Sequence, residues 1–307
     1  CKSIMTNLYL LIKIYFMNIS RRSFIRNAAF IGSGISLTST LSSVTIINKT
    51  KTNLAVGVCT GIENSSYLSS AGYSYIEEGV RRFLVPEESE SVFITKLEKA
   101  KRCGLPVVAC NFFLPGELKC VGPNTVHEKI IKYAKTCFRR AKQAGVRIIV
   151  FGSGASRSIP EGFSKNETMN QFIDLCKNIA VLAGKYEVII VLEPLNSKEC
   201  NFINFVKEGG EIVKMIDHPN FLFLADLYHM KLEDETPENI IHFGKYIYHV
   251  HIAEKEGRSA PGTHEEEFTR YFNALKKIRY KGGISAECKW HNMELQAPIV
   301  IRSINKQ

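Results

Sequence analysis

The chain reads as a (β/α)8 barrel of the TIM type, a single α/β domain, on three observations. Eight short runs rich in β-branched residues recur across about 238 residues, or about 30 residues per unit, the length of one strand, one helix and two loops. A barrel of eight such units takes ~250 residues, which is the span available after residue 52. The segments between the runs carry apolar residues at helical spacing, and no run is followed by the GxGxxG turn or P-loop that would favour a doubly wound open sheet.

The runs are Leu54–Cys59, Tyr73–Ile76, Val107–Asn111, Val146–Phe151, Val188–Leu192, Phe221–Ala225, Tyr246–Ile252 and Gly283–Ala286. Between the third and fourth, Val126–Ala144 sets Ile130, Tyr133, Ala134, Cys137, Phe138 and Ala141 three and four apart, then stops at Gly145. Between the fourth and fifth, Met169–Ala183 places Phe172, Ile173, Cys176, Ile179, Ala180 and Ala183 on one face before Gly184. Gly152-Ser153-Gly154 is too short for a phosphate cradle and reads as a tight turn from strand to helix.

Residues 1–52 stand apart from the barrel segment, 53–307. They carry seven Lys or Arg and no Asp or Glu. Ser20-Arg21-Arg22-Ser23-Phe24-Ile25-Arg26 precedes an apolar stretch rich in Ala, Gly and Ser, and resembles a bacterial twin-arginine export signal. The expectation is a periplasmic or otherwise exported protein, with a retained N-terminal anchor as the alternative. No stretch reaches the ~18 uninterrupted apolar residues of a spanning helix, so the barrel segment is not expected to insert in a membrane.

The formal charge of +10 belongs mostly to that leader. Without its seven cations, 33 basic residues face 30 acidic ones. A balance of about +3 spread over the chain argues against a nucleic-acid partner. With 45% hydrophobic and 23% charged residues, disorder and fibre are excluded. Nine cysteines at scattered positions show no CxxC and no zinc-ribbon spacing, and read as small buried hydrophobes rather than a disulfide framework.

In such barrels the chemistry sits where strands end and loops begin. For the last four runs those positions are Glu193, Asp226, His251 and Glu287. Each alone has a plain explanation, a helix cap or a packed barrel residue. Together they place four ionisable groups after strongly apolar runs, where unpaired charge is costly. A divalent cation would remove that cost. Three carboxylates and an imidazole suit Mn²⁺, Mg²⁺, Co²⁺ or Zn²⁺ with open positions for substrate oxygens.

Leu192-Glu193-Pro194-Leu195-Asn196, Asn201-Phe202-Ile203-Asn204, Asp226-Leu227-Tyr228-His229-Met230, His249-Val250-His251-Ile252-Ala253 and Ala286-Glu287-Cys288 together resemble the ketose 3-epimerases of the xylose-isomerase-like TIM-barrel superfamily. The likeness runs from about residue 54 to 290, and Gly72–Glu78 and Cys110–Gly116 resemble the family's second and third strand ends. It implies one divalent metal ion, Mn²⁺ by preference, held by Glu193, Asp226, His251 and Glu287. It implies that Glu193 and Glu287 double as acid and base in C3 epimerisation of an unphosphorylated ketose through a cis-enediolate. His229 and Glu199 would contact substrate hydroxyls, and Arg258 would polarise the carbonyl, although the step from His251 to Arg258 is one residue longer than the family segment. Relatives of this kind pair as dimers, so a homodimer is implied as well.

Other readings share the scaffold: an aldose–ketose isomerase, a keto-inositol dehydratase or a keto-glycoside enzyme. A DNA-repair nuclease of the same superfamily needs extra early histidines, and only His127 precedes His218. A non-catalytic sugar- or metal-binding barrel would have no need of both glutamates. Cys110, Phe112 and Phe113 stand where an apolar wall of a sugar pocket would be. Trp290 fits equally a sugar-stacking role or a plug at the barrel rim.

Overall fold

The computed structural model describes residues 54–307. Residues 1–52, for which an export leader is the expectation, lie outside the described residues. Strands β1 (Val56–Cys59), β2 (Tyr75–Gly79), β3 (Val107–Asn111), β4 (Ile148–Phe151), β5 (Ile189–Leu192), β6 (Phe221–Asp226), β7 (Ile247–Ile252) and β8 (Ile284–Ala286) form a closed barrel in sequence order. Every neighbouring pair is parallel, and β8 returns to β1 with Ser285 beside Gly57. The expected TIM barrel is therefore the fold.

Around it run α1 (Ser65–Ala71), α2 (Val80–Phe83), α3 (Glu90–Lys101), α4 (His127–Ala144), α5 (Gly154–Arg157), α6 (Lys165–Lys185), α7 (Val206–Ile216), α8 (Leu227–Leu232), α9 (Glu238–His242), α10 (Thr269–Lys277) and α11 (Met293–Asn305). Helix α4 buries the predicted stripe, from Ile130 to Ala141, and ends at Gly145 with φ of 75°, a left-handed cap that glycine adopts without strain. No helix among the described residues is long and apolar enough to cross a membrane. The eight cysteines among them are all free.

Two apolar clusters form the interior. The larger fills the shell between strands and helices, and includes Ile149, Phe151, Leu192, Phe221 and Phe223. The smaller fills the lumen on one side: Ala109, Ile148, Val150, Val191 and Leu224, with Ile189 and Leu222 against them. On the other side the lumen is polar, with Tyr75, Glu77, His249 and Ser285 all buried. This division of the lumen sets the character of the site above it.

The second strand differs from the expected Tyr73–Ile76. It starts at Tyr75, where pairing with β1 begins, and continues to Gly79. Tyr73 is taken into the shell, its hydroxyl donating to the Ala297 carbonyl at 3.3 Å. Two register shifts, between Ile76 and Glu77 against β3 and between Phe223 and Leu224 against β7, re-aim the strands locally. The second sets His249 opposite Leu224 and His251 opposite Asp226.

Candidate active site

Side chains alternate along a strand, so the lumen residues lower down dictate what points inward at the strand ends. Ile189 and Val191 put Glu193 inward, Leu222 and Leu224 put Asp226 inward, and Ala109 does the same for Asn111. The same count along the other strands brings Cys59, Glu77, His251 and Glu287 to the mouth. Glu193, Asp226, His251 and Glu287 each offer a ligand atom, and these atoms lie within 4.8 Å of one another. The four expected residues are thus one constellation.

His251 stands at its centre. Its Nδ1 lies 3.2 Å from Glu193 Oε1, 3.4 Å from Glu287 Oε2 and 3.9 Å from Asp226 Oδ2. Asp226 serves two purposes. Its Oδ1 caps α8, accepting from the Tyr228 and His229 amides at 2.7 and 3.3 Å, while its buried Oδ2 has no hydrogen-bond partner. A buried, unpartnered carboxylate oxygen facing two further carboxylates and a ring nitrogen fits a bound cation and would be costly without one.

Two other overlapping groups could also hold an ion: Glu77 with His249 and His251, and Cys59 with His251 and Glu287. The first is already a closed hydrogen-bond network. Glu77 Oε1 is 2.9 Å from His251 Nε2, and Glu77 Oε2 is 2.8 Å from both His249 Nε2 and the donating Ser285 hydroxyl. Tyr75 extends the network to Ser285 at 3.0 Å. With Glu77 holding the Nε2 edge of the ring, Nδ1 of His251 faces Glu193, Asp226 and Glu287, which is the arrangement that orients metal-ligating histidines.

Burial would raise the Glu77 carboxyl, yet the two imidazoles outweigh it and hold the group far below the carboxylate range. His251 moves the opposite way, well above the usual imidazole value: burial opposes its charge, but Glu77 leads the groups that favour it. The two glutamates are pushed apart. Burial, with Glu287 and Asp226 nearby, raises Glu193. At Glu287 burial is overcome by His251 and Arg258, which bring it to about 2.

Arg258 reaches the site. Gly257 and Arg258 both take left-handed backbone, with φ of 64° and 54°, in the loop that carries the guanidinium to the cleft. Buried Glu254 pins the loop by accepting the Gly262 and His264 amides, each at 2.7 Å. The guanidinium then pairs with the Glu287 carboxylate, lies 3.4 Å from Glu199 Oε1 and covers the Tyr228 ring at 4.7 Å. Glu199 also accepts from Asn196 Nδ2 at 2.8 Å. The Nδ1 of His229 accepts from the Asn196 amide at 3.2 Å, and its buried Nε2 is unpartnered, 3.6 Å from Asp226 Oδ2. Trp290 packs against the shell and does not line the cleft. Cys110 and Phe113 are fully buried in the shell, whereas Phe112 does line the cleft.

Reasoning from the sequence missed Glu77, His249, Asn111 and Arg157 as site residues. Asn111 donates to Glu287 Oε1 at 2.9 Å. Arg157, wholly buried, donates to the carbonyls of Gly152 at 2.6 Å and Glu193 at 2.8 Å and also to Phe202, tying together the loops that follow β4 and β5 at the barrel mouth. The sequence signal for Glu77 was present, a carboxylate beside an apolar run, but the expected strand ended one residue too early to count it. Arg157→Met should leave those carbonyls unpaired and cost on the order of 3 kcal/mol, read from the shift in a denaturant midpoint.

Gly152 shows how tightly Glu193 is seated. A Cβ at this position would stand 2.3 Å from Glu193 Oε2, inside contact distance. Gly152→Ala is expected to displace the carboxylate and lower turnover about a hundredfold, with the thermal midpoint barely changed. Wild-type turnover in that variant would show that the position of Glu193 is not critical.

The sequence profile of the xylose isomerase-like TIM barrels matches residues 66–306. The chain belongs to this xylose isomerase-like TIM barrel family. Among relatives of this family member, the L-ribulose 3-epimerase of Methylomonas sp. is 30% identical over 127 residues, 41% of this chain and 44% of that one. The D-psicose 3-epimerase of Ruminiclostridium cellulolyticum is 31% identical over 116 residues, 38% and 39% of the two chains. The 3-dehydro-D-guloside 4-epimerase of Escherichia coli is 26% identical over 115 residues, 37% of this chain and 44% of the relative. The aligned stretches thus span under half the length of these relatives.

Solved structures share the whole xylose isomerase-like barrel. D-psicose 3-epimerase from Clostridium cellulolyticum H10, crystallised with D-tagatose, superposes with a TM-score of 0.69 at 20% identity, covering 82% of this chain and 92% of that one. The 3-keto-D-glucoside 4-epimerase of E. coli gives 0.69 at 17% identity, covering 83% and 100%. At these identities the likeness shows the common fold.

Proposed function

We propose that the protein is a divalent-metal-dependent sugar epimerase that inverts C3 of an unphosphorylated ketose. The observation that carries this reading is the arc of four adjacent strand ends. Glu193 on β5 and Glu287 on β8 stand at its ends, Asp226 and His251 lie between, and both glutamates reach the same imidazole nitrogen. Inversion next to a carbonyl needs a base for one face and an acid for the other. One glutamate takes the C3 proton, and the other delivers a proton to the opposite face. The charge of Arg258 beside Glu287 favours oxyanion character on the substrate, and the unpartnered Nε2 of His229 holds a hydroxyl. A cation held by Glu193, Asp226, His251 and Glu287, Mn²⁺ by preference with Mg²⁺, Co²⁺ or Zn²⁺ as alternatives, would supply charge stabilisation to substrate oxygens.

The names of the relatives, L-ribulose and D-psicose 3-epimerases and a hydroxypyruvate isomerase, support the class of reaction. The twin-arginine-like segment supports export of the chain, and the absence of a glycine-rich phosphate cradle supports a neutral sugar. The test is proton exchange: the Mn²⁺-loaded protein in D₂O with a panel of ketoses and aldoses, followed by proton NMR. Deuterium entering at C3 with formation of the epimer is expected. Exchange at C1 or C2 instead would make it an aldose–ketose isomerase, and no exchange on any sugar would sink the epimerase assignment.

A further inference from the structure

The cleft above the strand ends is much larger than the proposed chemistry requires. Its volume is ≈ 1050 Å³. A free hexose displaces about as much solvent as six waters, roughly 180 Å³ at about 30 Å³ per water. The reacting groups Glu193, Glu287 and Arg258 are only part of the lining, which also includes Gly79, Arg81, Phe112, Leu114, Pro115 and Ala155.

Phe112 is the unusual member of that lining. It is 66% exposed, and it belongs to neither apolar cluster. Its backbone is left-handed, with φ of 53°, a conformation that a bulky residue rarely adopts. It directly follows Asn111, whose amide holds Glu287, so its placement is tied to the reacting end of the cleft. The ring lies over Gly79, with its Cδ2 3.9 Å from where a Cβ would stand. A large aromatic exposed in a strained turn at the mouth of a cleft is a platform for the apolar face of a ligand.

We propose that Phe112 and the adjoining rim form a second sugar subsite, so that the substrate is a ketose unit carried on a larger glycoside. The proposal rests on reading the inner site as that of a ketose epimerase. A pyranose ring offers an apolar C–H face to stack on Phe112, and its hydroxyls can accept from the rim. Arg81 is free to donate, since its side chain is 58% exposed and its ion pair with Glu87 is long, at 4.0 Å. Lys289 lines the same cleft. Arg82 lines the cleft as well but is paired with Glu78, and the exposed Phe112 ring favours a sugar ring over a phosphate at this end.

The full-length Mn²⁺-loaded protein would be titrated calorimetrically with D-fructose and D-tagatose, with the keto-disaccharides isomaltulose and lactulose, and with fructose 6-phosphate. Deuterium exchange at C3 would be followed in parallel. Isomaltulose or lactulose should bind at least about tenfold more tightly than the free ketoses. Phe112→Ala should remove that advantage while affecting the free ketoses far less, and Phe112→Trp should keep it. Equal affinity for mono- and disaccharides overturns the proposal. So does a preference for the sugar phosphate that Phe112→Ala leaves untouched. Loss of an oligomer in Phe112→Ala, with sugar affinities unchanged, would make the ring a contact between copies and overturn it too. Disaccharide selectivity without exchange on any sugar would sink the epimerase reading and sustain the subsite. Exchange on free ketoses without selectivity would do the reverse.

Discussion

Glu193→Gln and Glu287→Gln are each expected to lower epimerisation about a thousandfold or more while the barrel folds normally. Glutamine preserves the volume and keeps one oxygen for His251 and for a cation, so the loss isolates proton transfer. The two variants should fail differently. In a two-base inversion each glutamate serves one face of C3, so removing one leaves the other able to exchange the proton of a single epimer. Glu193→Gln should therefore retain deuterium wash-in from one epimer, and Glu287→Gln from the other. Interconversion should be lost in both. Continued epimerisation in either variant, with a wild-type circular dichroism spectrum, would refute the acid–base pair.

Glu77→Gln is expected to weaken Mn²⁺ binding about ten- to a hundredfold, measured by the electron paramagnetic resonance signal of free Mn²⁺. Glu77 receives His249 Nε2, His251 Nε2 and the Ser285 hydroxyl, all within 2.9 Å. A glutamine amide turns one of those acceptors into a donor and places it against a donor. The His251 ring would then lose the partner that directs Nδ1 toward Glu193, Asp226 and Glu287. The buried network also contributes to stability, so a lowered thermal midpoint should accompany the weaker binding. Unchanged Mn²⁺ affinity would show that His251 is oriented by packing alone.

Most of the architecture was legible because it depends on local periodicity. Strand β3 was expected at the observed boundaries, and β5 and β7 within one residue, because each is a compact apolar run bounded by turn signals. The inward positions at the ends of β5 to β8 followed from the same runs. What failed to follow was the far side of the barrel. The expected second strand stopped at Ile76, and nothing local says that the chain goes on pairing through Glu77 to Gly79.

By itself, then, the sequence determined the eightfold alternation of strand and helix and four ionisable groups at successive strand ends, both written in spacings of two, three and four residues. Barrel closure decided the rest. It brings Glu77 against His251, 174 positions along the chain, and Asn111 against Glu287, 176 positions along. It also splits the lumen into an apolar half under β3 to β6 and a polar half under β7, β8, β1 and β2. Those pairings depend on which strands meet across a closed ring and on two register shifts of one residue, and no local pattern of side chains encodes either.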